Sequence, residues 1–225
     1  MGSASEAFTS IYRDRSWGGT SRSGPGSDPR RLRPYLKLVT AFIRDNNVRS
    51  VVDIGCGDWA FARRIDWSGV DYTGIDVVPE LVDRLNETFG QDEIRFLCAD
   101  LVSSPLPSAD LCIIKDVLQH LPNESVQRFL ASLPKCFKHA IITNDMSREK
   151  RGGWWKLLQR FEIMTANRDT FTGGYRPLRL TDDPFRLPAV RLALIPIRIK
   201  YLLHGPWGTI FDTKEVLLWN RDGNL

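Results

Sequence analysis

Paired cysteines, histidines and long uncharged apolar runs are what this chain of 225 residues has little of. Its four cysteines, Cys56, Cys98, Cys112 and Cys136, form no CxxC pair. That spacing gives neither a disulfide framework nor a metal site. Three of them sit in or beside expected buried strands, where cysteine acts as a small hydrophobe. The most apolar long segment, 190–203, is interrupted by Arg191, Arg198 and Lys200, which excludes a spanning helix. The first residues lack the apolar core of a secretory signal. Glu6 stands where a myristoylation motif wants Ser or Thr. These absences predict a cytoplasmic protein with no membrane partner. The net charge is only +4, and the basic residues are scattered, which speaks against a nucleic-acid partner. Asn86 and Asn123 match the glycosylation pattern by coincidence, since both fall in or at expected helices.

Against this background Asp53-Ile-Gly-Cys-Gly57 stands out. It follows Ser50-Val-Val, a short apolar run that reads as a buried parallel strand. The two glycines describe a tight strand-to-helix turn where the backbone comes close to a ligand. Gly55-x-Gly57-x-x-Ala60 also fits the dinucleotide fingerprint, so this stretch by itself leaves two readings open. Two further acids narrow them. Val70–Asp76 and Ile94–Asp100 read as the next two strands, each running into a carboxylate. In an open parallel sheet the ligand crevice lies beyond the carboxyl ends of the strands. Asp53, Asp76 and Asp100 are therefore expected on one rim, Asp76 to accept ribose hydroxyls and Asp100 an exocyclic amine.

The series VVDIGCG, YTGID, CAD and DLCIIKDVLQHL resembles the class I S-adenosylmethionine-dependent methyltransferases over roughly residues 48–145. The resemblance implies an α/β Rossmann-like doubly wound sheet of seven strands, mostly parallel with an antiparallel last strand. It implies S-adenosylmethionine as cofactor and S-adenosylhomocysteine as product. Asp76 would bind the ribose, Asp100 and Leu101 would border the adenine, and Gly55, Cys56 and Gly57 would pass the methionine moiety. Asp53, Val77, Lys115 and Asp116 complete the expected core contacts. The pattern W-x-x-x-S-x-S-G-x-G-S from Trp17 resembles an arm beside such cores, and adds Trp17, Arg22, Ser23 and Gly24.

A single domain is expected, in four stretches: an arm at 1–31, a cofactor-binding core at 32–145, a lid or substrate insertion at 146–211 and a final strand at 212–225. The arm holds no obvious regular element but carries Phe8, Ile11, Tyr12 and Trp17, too aromatic for a pure linker. Leu32, Leu36, Val39 and Ile43 share one helical face ending at Asn46-Asn47. A helix is expected from Asp58 to about Ile65. Another should start at Pro79 and stop at Gly90. A fourth, capped by Asn123, carries Val126, Phe129, Leu130 and Leu133. Strands are expected at 109–114, 140–143 and 215–219. Prolines at 177, 184, 188, 196 and 206 point to a loop-rich insertion, and such loops carry function.

Lys115–His120 follows the fourth strand at the acidic rim. His120 is the candidate general base, because its pKa lies near neutrality; the bland alternative is a histidine that packs the turn before Leu121-Pro122. Asp145 ends strand five and is the second candidate catalytic group, orienting substrate or His120, or capping a helix. Gln119, Trp155, Tyr175 and Arg176 are the candidate substrate contacts. Arg148, Arg168 and Arg179 are further candidates for an anionic substrate, or simply solvated. His139 lies at the opposite rim and reads as structural; the position of His204 is not fixed by the sequence. The expected reaction moves a methyl to an O or N atom of a small molecule or sugar-like metabolite, by a monomer or homodimer without metal. The alternatives are a protein or RNA methyltransferase, a nicotinamide oxidoreductase and an inactive cofactor-binding regulator.

Overall fold

The computed structural model describes residues 4–14, 16, 32–151, 161–162, 165–200 and 209–223. Four α-helices occur among them: α1 (Ala4–Arg13), α2 (Arg33–Asp45), α3 (Pro79–Phe89) and α4 (Asn123–Cys136). The strands are β1 (Ser50–Ile54), β2 (Asp71–Asp76), β3 (Ile94–Cys98), β4 (Ala109–Lys115), β5 (Phe137–Arg151), β6 (Phe161–Glu162), β7 (Val190–Lys200) and β8 (Thr209–Asn220). Seven form one sheet in the order β3-β2-β1-β4-β5-β8-β7, while the two-residue β6 pairs with the far end of β5. The first five are parallel. β8 runs antiparallel to β5, and β7 antiparallel to β8. This is the expected doubly wound sheet.

Alternation along the strands builds two cores. Val51, Leu111, Ile113 and Ile141 face one side, with Tyr35 and Val39 of α2 and Leu81 and Leu85 of α3. Val52, Ile54, Cys112, Ile114 and Ile142 face the other, with Val126, Phe129 and Leu133 of α4. Parallel pairing puts the carboxyl ends of β1–β4 along one rim, where loops gather.

Several local expectations are corrected. Residues 1–31 hold a regular element after all, α1, whose Tyr12 is buried. No α-helix forms from Asp58 to Ile65; there are turns and one 3₁₀ turn at Ala62–Arg64. Trp59 sits at φ 57, a left-handed position that ends helical propagation. The indole gains by this, packing buried against Tyr72, Phe89 and Phe96. Pro79 opens α3 as expected, but Gly90 is extended rather than left-handed. Glycine suits it because a Cβ would lie 2.5 Å from the Asn86 carbonyl oxygen. Pro122, not Asn123, stands at the α4 cap. The Asn123 N–H is satisfied from a distance instead, donating to Asp169 Oδ1 at 2.8 Å.

The stretch after 145 is more regular than its prolines suggest. β5 runs unbroken through the boundary expected at 145, apart from a register shift between Asp145 and Ser147. Pro196 lies within β7, which among the described residues pairs with β8 alone and ends the sheet; edge strands tolerate a residue without an N–H. β5, β7 and β8 therefore continue beyond the level where β4 ends.

Candidate functional site

A pocket of about 970 Å³, partly open to solvent, lies over the carboxyl ends of β1, β2, β3 and β4. Its floor begins at the turn after β1. The N–H groups of Gly55 and Cys56 both donate to the Ile75 carbonyl, at 2.7 and 3.0 Å. Gly55 (φ 68) and Gly57 (φ 57) take left-handed conformations. A Cβ on Gly55 would lie 2.3 Å from Val117 Cγ2. The close approach at Gly55 is thus between the first and fourth strand loops, which brings Asp116 and Val117 over the turn.

Asp76 is locked at the end of β2. Gly57 N–H donates to its Oδ2 at 3.0 Å and Val78 N–H to its Oδ1 at 3.1 Å. Burial raises its pKa, and these backbone donors act in the opposite direction. A carboxylate with one donor on each oxygen keeps lone pairs for two more. Asp100 follows β3; its Oδ1 accepts the Val102 N–H at 2.8 Å, which fixes the loop. Leu101 and Val77 supply apolar wall beside these acids.

On the β4 side the charges are arranged as a buried ladder. Lys115 Nζ lies 2.5 Å from Asp116 Oδ2. Lys214 of β8 reaches Asp116 Oδ1 and Asp145 Oδ1, each at 2.6 Å. Burial alone would raise the Asp116 carboxyl, but the ammonium groups of Lys115 and Lys214 outweigh it and hold the pKa down at about 2. Burial lowers the Lys115 pKa despite Asp116. For Lys214 the two carboxylates overcome burial and raise it. Asp116 occupies φ 60, a conformation that Asp and Asn adopt more readily than most residues.

His120 ends a 3₁₀ turn, Leu118–His120, and lines the pocket. Its Nδ1 lies 2.7 Å from the Gly174 carbonyl oxygen. A carbonyl only accepts, so Nδ1 carries the proton and Nε2 is the acceptor of the neutral ring. Burial lowers the His120 pKa, against the Gly174 hydrogen bond and the charges of Asp116 and Asp145; Lys214 adds to the lowering. The ring is therefore neutral near pH 7.

The pocket is roofed by α1. Ala4, Phe8 and Tyr12 line it, one stripe at a spacing of four. Ser5 Oγ donates to the Val77 carbonyl at 3.0 Å. Arg13 pairs with Glu80, and Arg84 donates to the Tyr12 hydroxyl, so α3 holds the helix in place.

Of the residues expected at the site, Gly55, Cys56, Gly57, Asp76 and Val77 line this pocket, as do Asp100, Leu101, Lys115, Asp116 and His120. Asp53 does not. It is 1% exposed beneath the turn and accepts the Tyr72 hydroxyl at 2.7 Å. Asp145, expected to be catalytic, is buried and not part of the lining. Its carboxylate accepts from Lys214, from Gln119 Nε2 at 3.2 Å and from the Tyr175 hydroxyl at 3.1 Å. Gln119, Tyr175 and Arg176, expected at the substrate, lie outside the lining as well. Gln119 Oε1 in turn accepts the Asp145 N–H at 2.8 Å. Arg176 is 1% exposed and donates to the Leu118 carbonyl and Asn123 Oδ1, tying the 165–189 loop to α4. Arg179 donates to the Met146 carbonyl. His139 packs edge-on to Phe42, outside the pocket lining. Trp17, Arg22, Ser23, Gly24, Trp155 and His204 lie outside the described residues, as does the Arg148 side chain.

Sequence reasoning missed Lys214, and it gave the aromatic arm over the pocket no helix. Lys214 directly precedes the apolar run taken as the last strand, and its partners are set only by register: it pairs with Asp145. Phe8 and Tyr12 were visible as an aromatic pair without an assigned helix.

The donor set fits a nucleoside bearing a cationic tail. It offers acceptors at Asp76 and Asp100, an apolar wall, and a further carboxylate at Asp116. Residues 51–140 match the family model described as a methyltransferase domain. Over 138 residues the chain is 26% identical to uncharacterized methyltransferases of Mycobacterium bovis and Mycobacterium tuberculosis, covering 60% of this chain and 69% of theirs. Among solved structures it is similar to the N-methyltransferase NodS of Bradyrhizobium japonicum with S-adenosyl-l-homocysteine (TM-score 0.56, 13% identity, 93% of this chain and 97% of that one). It is also similar to the 1,6-didemethyltoxoflavin-N1-methyltransferase of Burkholderia thailandensis (TM-score 0.55, 16% identity, 93% and 85% covered).

Proposed function

Because this chain is a class I S-adenosylmethionine-dependent methyltransferase, we propose that it methylates an oxygen or nitrogen atom of a small molecule, with His120 as general base. The observation that carries this reading is the His120 ring, fixed on the pocket wall with Nδ1–H on Gly174 and Nε2 as acceptor. S-adenosylmethionine, when bound, supplies an electrophilic methyl on a sulfonium sulfur. Asp76, already oriented by two backbone donors, accepts the ribose hydroxyls. Asp100 and Leu101 border the adenine. Asp116 sets its carboxylate in the same pocket, held by Lys115 and Lys214. His120 takes the acceptor's proton at Nε2 as the new bond forms. The α1 roof limits water and favours acceptors small enough to share the pocket. The four cysteines are free thiols, which supports a cytoplasmic setting.

Turnover is measured as S-adenosylhomocysteine release with panels of small hydroxyl and amine compounds, peptides and RNA. Activity confined to peptides or RNA would overturn the small-molecule reading. His120→Ala is expected to lower kcat by about 10²–10⁴ while cofactor affinity stays unchanged by titration. A rate close to wild type would remove His120 from the mechanism and point to an acceptor needing no base.

A further inference from the structure

The turn at Phe171–Gly174 touches both the candidate base and the pocket roof. Gly174 N–H closes it on the Phe171 carbonyl at 2.9 Å. From one side it grips His120 twice: Gly173 N–H donates to the His120 carbonyl at 2.9 Å, and the Gly174 carbonyl accepts from Nδ1–H. The Tyr175 ring follows, 5.8 Å from the imidazole, with its hydroxyl on Asp145. From the other side it meets α1. A Cβ on Gly173 would lie 2.9 Å from Ile11 Cδ1, and Ala7 is also in range at 4.0 Å. Neither glycine has room for a side chain. Gly173 is at φ 88, and a Cβ on Gly174 would lie 2.2 Å from Thr170 Oγ1.

We infer that this diglycine turn is a positioning element that makes the orientation and tautomer of His120 depend on the seating of α1. The Gly174 carbonyl permits only the tautomer with Nε2 as acceptor. Ile11 Cδ1 fills the space a Cβ on Gly173 would need, one peptide away, with Ala7 beside it. When α1 leaves the pocket, the turn loses its packing partner and the imidazole loses its fixed acceptor. The base is thus set when the pocket is roofed, which couples proton removal to the exclusion of water. The inference rests on the proposed role of His120, and its test reads the ring separately from the reaction.

The full-length chain, ¹⁵N-labelled and saturated with S-adenosylhomocysteine, reports the His120 tautomer through imidazole two-bond ¹⁵N–¹H couplings. Wild type is expected to show a single Nδ1–H form. Ile11→Ala removes the contact without touching the turn's backbone, and is expected to give mixed tautomers and a kcat lower by about tenfold or more. Ile11→Val should restore both. Gly173→Ala should reproduce the Ile11→Ala spectrum; Ile11→Ala decides the matter if that variant does not fold. An unchanged tautomer in Ile11→Ala overturns the coupling whatever happens to kcat. Mixed tautomers with wild-type kcat support the coupling while overturning His120 as base.

Discussion

Asp53 and Asp116 are both carboxyls near the pocket, and their proton affinities move in opposite directions. Asp53 has burial as its dominant influence, against the Tyr72 hydroxyl and the charge of Lys115, and its pKa rises to about 7. Asp116 has two ammonium groups in contact and falls to about 2. The folded state therefore holds a proton on Asp53 that the unfolded chain has released above the ordinary carboxylate range. This group contributes stability below about pH 4, and that contribution is lost as pH rises toward 7. Asp53→Asn keeps an acceptor for Tyr72 and removes the titration. The variant should gain stability over wild type at pH 8, with the gain shrinking as pH falls from 7 to 4, measured by urea denaturation across that range. Asp116 has the reverse dependence, its contribution being present above about pH 4 and lost as pH falls toward 2. At the ligand end, Asp76→Ala should weaken S-adenosylmethionine binding by about 1.5–3 kcal/mol, the scale of hydrogen bonds to charged groups. Calorimetric titration checks this, and unchanged affinity would take the ribose away from Asp76.

At the scale of elements, the strands were the legible part and the turns were not. β1 to β4 announced themselves because each is a short apolar run ending near an acid or glycine. The 58–65 segment read as a helix because it is an amphipathic stretch opened by Asp58 after the glycine turn; the left-handed Trp59 that prevents one is fixed by contacts with Tyr72 and Phe96, residues far along the chain. The same limit applies to the site. Asp76, Asp100 and His120 line the pocket where the sequence put them, because strand ends and the turn after β4 place them. Asp53 looked equivalent, yet it lies level with Gly74, two residues before Asp76, and serves Tyr72. Asp145, Gln119 and Tyr175 lie outside the pocket lining, in a network whose cation, Lys214, arrives from β8. That network gives a sharp expectation. Lys214→Met leaves Asp116 and Asp145 buried with fewer partners and should cost about 3–5 kcal/mol of stability, read from the shift in urea midpoint. A loss under about 1 kcal/mol, the scale of an exposed pair, would mean that the ladder is solvated.

For the whole molecule, two sheet halves meet at the site: the parallel half supplies the pocket and the antiparallel half supplies Lys214. α1 closes the assembly from the opposite end of the chain. The charge pair that joins it to α3 among the described residues, Arg13–Glu80, is exposed, and such pairs are weak. Amide exchange across Ala4–Arg13 should therefore be fast in the free protein and slow with S-adenosylhomocysteine present. Equal exchange in both states would make α1 a permanent wall.

The placement of Lys214 on β8 also constrains how this protein is made. The Lys214–Asp116 contact spans 98 positions, and β8 is the last strand in chain order. A nascent chain halted short of Thr209 already carries β1 to β5, the glycine turn and the rim acids Asp76 and Asp100. It lacks the strand that pairs with the open edge of β5 and the cation that neutralises Asp116 and Asp145. On the ribosome the parallel half would wait with a long unpaired edge, a surface that chaperones or a neighbouring nascent chain would recognise before the enzyme's own β8 emerged to cover it.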